Sequence, residues 1–84
     1  TGGIDGTYTD VRTILREALL QRATQIAVVH NHPSGNPNPS IADLDFTRTL
    51  QNGASVLSIN FLDHIILGNP DYFSFKEKNM LMEE

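Results

Sequence analysis

Apolar positions along the chain change period from one stretch to the next, and each period predicts an element. Val11, Ile14, Leu15, Ala18 and Leu19 fall at i, i+3, i+4, i+7 and i+8, the stripe of an amphipathic helix, with Asp10 placed to cap it. Arg12, Arg16, Glu17, Gln21 and Arg22 lie largely off that stripe, so they read as a solvated face and Glu17 as a surface residue. Gln25 to Val29 is short and β-branched, and its run Ile26-Ala27-Val28-Val29 has the pattern of a strand buried on both faces. From Pro33 to Pro39 three prolines, a glycine and two asparagines exclude regular structure and predict a stiff loop. Ser40 then opens a second helix reaching about Asn52, with Gly53 as its stop. Its inner face is expected to be Leu44, Thr47 and Leu50, with Ile41 or Phe46.

Beyond this helix the pattern turns to strands. Val56 to Phe61 predicts one and His64 to Leu67 another. Gly68-Asn69-Pro70-Asp71 is turn chemistry, so Ile65-Ile66-Leu67 is expected to pair with Tyr72-Phe73-Ser74 as a hairpin. Ser74 with Glu77 has capping-box spacing and predicts a short final helix over Phe75 to Leu81. Helix, strand, helix and then strands imply an α/β fold with a mixed sheet and helices packed on it.

Size and charge narrow the class. Eighty-four residues, 39% of them hydrophobic, make one small domain over 1-84. No cysteine is present, so a transition metal would be held by imidazole and carboxylate rather than thiolate. No apolar run spans a bilayer and no signal-peptide pattern opens the chain, which points to a soluble, cytoplasmic protein without a membrane partner. Six basic against ten acidic side chains give a net charge of -4, which argues against direct nucleic-acid binding by this segment. Gly2, Gly3 and Gly6 match neither the P-loop nor the dinucleotide fingerprint, and Thr1 to Thr9 reads as a flexible lead-in strand or turn cut from something longer.

The chemistry concentrates between His30 and Asp43. On extended backbone His30 and His32 point to the same side, and Pro33 holds His32 in that conformation. Asp43, in the first turn of the second helix, is placed to be a third ligand, and two histidines with one carboxylate leave a fourth position for water, as in catalytic zinc sites. Zinc lowers the pKa of such a water to about 7. Ser40 would then sit beside the metal as a donor to a developing oxyanion. A plainer account of the same residues also stands. Ser40-Ile41-Ala42-Asp43 has the spacing of an acidic capping box, and histidines at strand ends are often merely hydrogen-bonded.

His30-x-His32, seven residues, Ser40, two residues and Asp43 resembles the JAB/MPN metalloprotease motif, known as JAMM. His30-Asn31-His32-Pro33-Ser34-Gly35, Pro39-Ser40, Asp43 and Leu62-Asp63-His64-Ile65-Ile66 are similar to the RadC branch of bacterial JAMM proteins, and the likeness runs from about Gly6 to the C-terminal region. The resemblance implies a three-layer α-β-α fold with a mixed sheet, related in outline to the cytidine deaminases, whose first strands lie outside this chain. It implies His30, His32 and Asp43 as zinc ligands, Ser40 as the residue stabilising a tetrahedral intermediate, and a peptide or isopeptide-linked protein as substrate. JAMM enzymes also use a glutamate upstream of the histidines as general base. Glu17 is the only glutamate before His30, and its helical setting does not suit that role. The expectation is a zinc platform whose base lies outside the chain, the alternative being a non-catalytic interaction or DNA-repair accessory module that keeps the frame. His64 is expected to be structural, orienting a strand end or supporting a ligand, since a fourth ligand would close the open position.

Overall fold

The computed structural model describes residues 3–5, as backbone, and 10–82. Six elements follow one another: β1 (Gly3–Asp5), α1 (Val11–Leu20), β2 (Gln25–Asn31), α2 (Ile41–Val56), β3 (Asn60–Leu67) and β4 (Tyr72–Ser74). The strands form one mixed sheet in the order β1-β2-β3-β4, with the first three parallel and β4 antiparallel. Most of Thr1 to Thr9 lies outside the described residues; within it Gly3–Asp5 is a strand paired with β2.

Each helix forms for a local reason and is held by burial. Asp10 accepts the Thr13 N–H at 2.8 Å and starts α1, whose Ile14 and Ala18 are buried. Val11 and Leu15 flank that contact half-buried, whereas Leu19, counted in the predicted stripe, stays exposed. In α2 the buried residues are Asp43, Thr47, Leu50, Gln51 and Ala54, while Leu44 and Phe46 are half-buried and Ile41 lies outside. Ile14, Ala18, Leu50 and Ala54 from the helices join Ile26, Val28, Ile59 and Phe61 in a single apolar cluster. Ile26 and Val28 share one side of β2 by the period of two, so both helices cover the same face of the sheet. The described residues thus make two layers, and the third layer of the expected fold is not formed among them. On the opposite face Ala27 and Val29 are half-buried, which corrects the expectation of a strand buried on both faces.

Several elements differ from the sequence pattern: β2, expected to end at Val29, runs on to Asn31 and takes His30 into the strand. α2 does not stop at Gly53 but runs to Val56, because that glycine is a contact point: a Cβ there would meet Leu15 Cδ1 of α1 at 2.6 Å. Val56 therefore ends the helix and does not begin a strand. The two strands predicted over 56–61 and 64–67 are one, β3, interrupted by a bulge: Ile26 pairs with Phe61 and Ala27 with Asp63, leaving Leu62 as the extra residue. The final helix over Phe75 to Leu81 is absent. Ser74 Oγ accepts the Glu77 N–H at 3.1 Å, but the Glu77 carboxylate takes the Tyr72 hydroxyl, and only turns follow up to Asn79, whose φ is 57°. The β3–β4 hairpin forms in the expected register, Ile65 with Ser74, Ile66 with Phe73 and Leu67 with Tyr72. Among the described residues no helix is long and apolar enough to cross a membrane.

Candidate metal centre

The centre lies where β2 runs out of apolar residues. His30 follows Ile26 and Val28 on the helix-covered face, and His32 comes one residue after the strand ends, its N–H still bonded to the Leu67 carbonyl at 3.0 Å. The chain then turns through Pro33 to Pro39 and returns at Ser40. Two side chains brace this loop: Ser34 Oγ accepts from Asn36 N–H at 3.3 Å, and Asn36 Oδ1 accepts from Asn38 N–H at 3.0 Å.

The β3–β4 turn, at the same end of the neighbouring strand, anchors it as well. The Gly35 carbonyl accepts the Asn69 N–H at 2.8 Å, and Gly35, at φ +85°, occupies backbone space that favours glycine. A Cβ on Gly68 would lie 2.4 Å from Gly35 O and 2.8 Å from Pro37 Cδ. Only a glycine at 68 lets the hairpin turn approach the loop this closely. Sequence patterning marked Gly68 as turn chemistry and missed this second role.

Ser40 caps α2. Its Oγ accepts the Asp43 N–H at 3.1 Å while Asp43 Oδ2 accepts the Ser40 N–H at 2.8 Å, a complete capping box. The plainer account of Ser40 and Asp43 is therefore correct as far as it goes. It does not use the whole of either side chain. The buried Asp43 carboxylate also faces both histidines, with Oδ1 3.3 Å from His30 Nδ1 and Oδ2 3.1 Å from His32 Nε2. His30, His32 and Asp43 form a group whose candidate ligand atoms lie within 4.8 Å of one another. Burial pushes the Asp43 carboxyl up, but the hydrogen bonds from Ser40 and the charges of His30 and His32 outweigh it and hold the group below its ordinary value.

The ring of His32 carries a further clue. Its Nδ1 stands 2.9 Å from the Asn36 carbonyl oxygen, which can only accept, so Nδ1 bears a proton. In the neutral ring Nε2 is then a lone pair, aimed at a carboxylate oxygen 3.1 Å away. Two acceptors so placed call for a cation, either a proton or a metal. A backbone carbonyl that fixes the tautomer of a ligating histidine is a recurring feature of metal sites. Two imidazoles and one carboxylate are also a donor set that suits zinc and leaves a coordination position open.

His64 stands outside this group, immediately behind it. It is fully buried, stacked on Phe75 with ring centroids 4.9 Å apart, and its Nδ1 lies 2.5 Å from Thr47 Oγ1. Burial, helped by the charge of His30, lowers its pKa to about 4. Glu17 is exposed on α1, where it accepts a hydrogen bond from Gln21 at 3.3 Å.

Fold and site together define a small α/β domain with a paired-histidine and carboxylate cluster at the C-terminal end of a parallel strand. Comparison with known proteins gives this class its family: residues 1–80 match the RadC-like JAB domain, and the chain belongs to that family. It is 41% identical over 80 residues to a UPF0758 protein of Clostridium novyi, covering 95% of this chain and 35% of that protein. It is 40% identical over 83 residues to a UPF0758 protein of Enterococcus faecalis, covering 99% and 36%. A UPF0758 protein of a Cyanothece species is 49% identical over 73 residues, covering 87% and 30%. The chain spans about a third of the length of the curated relatives it matches.

Proposed function

We propose that this domain is the zinc-binding part of a metallohydrolase that cleaves a peptide or isopeptide bond, with His30, His32 and Asp43 as the ligands. The observation that carries it is the pairing of His32 Nε2 with Asp43 Oδ2 at 3.1 Å, while Nδ1 is held on the Asn36 carbonyl. Zinc at this place would supply Lewis acidity and a water acidified to about pKa 7. The chain's own residues do the rest. The proline loop and the Gly35–Gly68 contact fix the distance between β2 and α2, so the carboxylate meets both imidazoles without a search. Ser40 accepts through its oxygen from Asp43 N–H and keeps its hydroxyl proton as a donor. That donor, together with the positive end of the α2 dipole, favours negative charge developing on an attacked carbonyl oxygen. Glu17 does not suit the proton acceptor that JAMM chemistry needs, since it is exposed on α1 and accepts a hydrogen bond from Gln21.

The intact protein carrying this domain, stripped with a chelator and titrated with zinc, is expected to take up one equivalent per site. His30→Ala or Asp43→Ala should abolish that uptake, and cleavage of a peptide or ubiquitin-like conjugate should stop on chelation. If the stripped protein bound no zinc at neutral pH, the proposal would be wrong. Zinc uptake with no cleavage of any amide would favour the accessory-module alternative.

A further inference from the structure

His64 and Thr47 are buried polar residues that the zinc proposal leaves without a task. His64 is 0% exposed on β3 and Thr47 is 3% exposed on α2. The imidazole stacks on Phe75 at 5° between planes, meets the edge of Phe46 at 5.9 Å, and lies 6.1 Å from the ring of His30 at 26°. A wholly apolar side chain would pack as well in such a place, so its nitrogen atoms need a reason.

The reason is in the hydrogen bonds. Thr47 Oγ1 donates to the Asp43 carbonyl at 2.8 Å and lies 2.5 Å from His64 Nδ1. A hydroxyl has one proton. With that proton on the Asp43 carbonyl, the hydroxyl offers His64 a lone pair, and His64 Nδ1 must be the donor. The chain runs His64 Nδ1–H to Thr47 Oγ1, and Thr47 O–H to the carbonyl of Asp43. Back-bonding from a threonine to the residue four before it is a common local feature of helices. Here the hydroxyl is also gripped by a strand. β3 pairs with β2 so that His64 stands opposite Val28 and Ile66 opposite His30. The link therefore ties the first turn of α2, which bears the carboxylate, to β3, the strand paired with the one that bears His30.

Resting on the zinc proposal above, we infer that Thr47 and His64 are positioning residues: their hydrogen-bonded chain holds Asp43 in register with His30 and His32 before metal binds. Thr47 bonds the backbone of Asp43 and His64 bonds Thr47; partners that orient a metal ligand typically change metal affinity 10- to 100-fold when lost.

The test uses the intact protein. Thr47→Val keeps the shape and removes both bonds, Thr47→Ser restores them, and His64→Phe keeps the aromatic stack without a donor. Zinc affinity is read by competition with a chromophoric chelator, the ligand field from the visible spectrum of bound cobalt, and metal-free stability from unfolding in excess chelator. Thr47→Val and His64→Phe are expected to weaken zinc binding about 10-fold or more and alter the cobalt spectrum, with Thr47→Ser close to the unsubstituted protein. A fold-only role would lower metal-free stability and leave the zinc affinity of the folded fraction unchanged. Affinities within twofold for Thr47→Val would overturn the inference. Nitrogen-15 spectra of the unsubstituted, metal-free protein check it without any variant: His64 should carry its proton on Nδ1, and a proton on Nε2 instead would also overturn it. Failure of the unsubstituted protein to bind zinc removes the zinc proposal and this inference together, whereas normal binding with an indifferent Thr47→Val removes this inference alone.

Discussion

The two ends of the sheet are built from the same elements and hold together by different physics. Along β2 the residues facing the helices run Ile26, Val28, His30, and along α2 the buried residues run in the opposite direction through Ala54, Leu50, Thr47 and Asp43. At the first end the contacts are apolar, nondirectional and worth roughly 1.5–3 kcal/mol for each large buried side chain. At the second they are hydrogen bonds and paired charges, which need particular angles and lose their value when misplaced. The apolar end supplies stability to the whole chain, and the polar end draws on it to hold a geometry that would not form alone.

The contrast breaks most visibly at the apolar end. Leu50→Ala should cost about 3 kcal/mol in denaturant unfolding, since Leu50 is fully buried against both helices and the sheet. The zinc affinity of the fraction still folded should change little; a large loss would mean the two ends are mechanically one.

Acid probes the polar end. Burial lowers the His64 pKa to about 4 from an ordinary 6.5, so the folded state resists taking up a proton that the unfolded chain accepts. Stability in excess chelator should thus be complete above about pH 6.5 and fall as pH drops toward 4, by about 3 kcal/mol in all. His64→Phe should flatten that slope. Asp43 titrates in a different window: its carboxyl is held below the ordinary value, so its contribution is complete above the usual carboxylate range and is lost as the pH falls through that range toward the lower folded value.

Gly68→Ala should destabilise by about 2 kcal/mol, because the new Cβ would meet backbone on two sides, Gly35 O at 2.4 Å and Asp71 O at 2.9 Å. Since Gly35 belongs to the loop that joins His32 to Asp43, zinc affinity should fall with stability, and an unchanged affinity would show that loop and turn are independent. The smallest effect is expected from Asp10→Ala, about 1 kcal/mol through loss of the α1 cap, with zinc binding intact.

Much of the candidate site is legible in the sequence. His30, His32, Ser40 and Asp43 sit on a strand end and a helix cap, two places where local rules are strong, and a proline loop joins them across a short distance in sequence. The capping box, the hairpin register and the start of α1 follow equally local chemistry. What escaped was long-range. Thr47 passes for an ordinary helix residue until β3 brings His64 against it, and nothing near Asn36 announces that its carbonyl fixes the His32 ring.

The β3 bulge shows the divide most clearly. Phe61 and His64 are three residues apart, so in an uninterrupted strand they would point to opposite faces. Pattern alone splits this segment into two strands at the phase change, whereas the extra residue at Leu62 turns both side chains toward the helices in one strand. Period, caps and turns, which depend on neighbours in sequence, determined that two helices, a mixed sheet and a paired-histidine loop would form. Only the tertiary structure decided that Gly53 and Gly68 are contact points, that α2 outruns its predicted stop, and that His64 lies against Thr47 of α2, because each depends on what a distant element places against it.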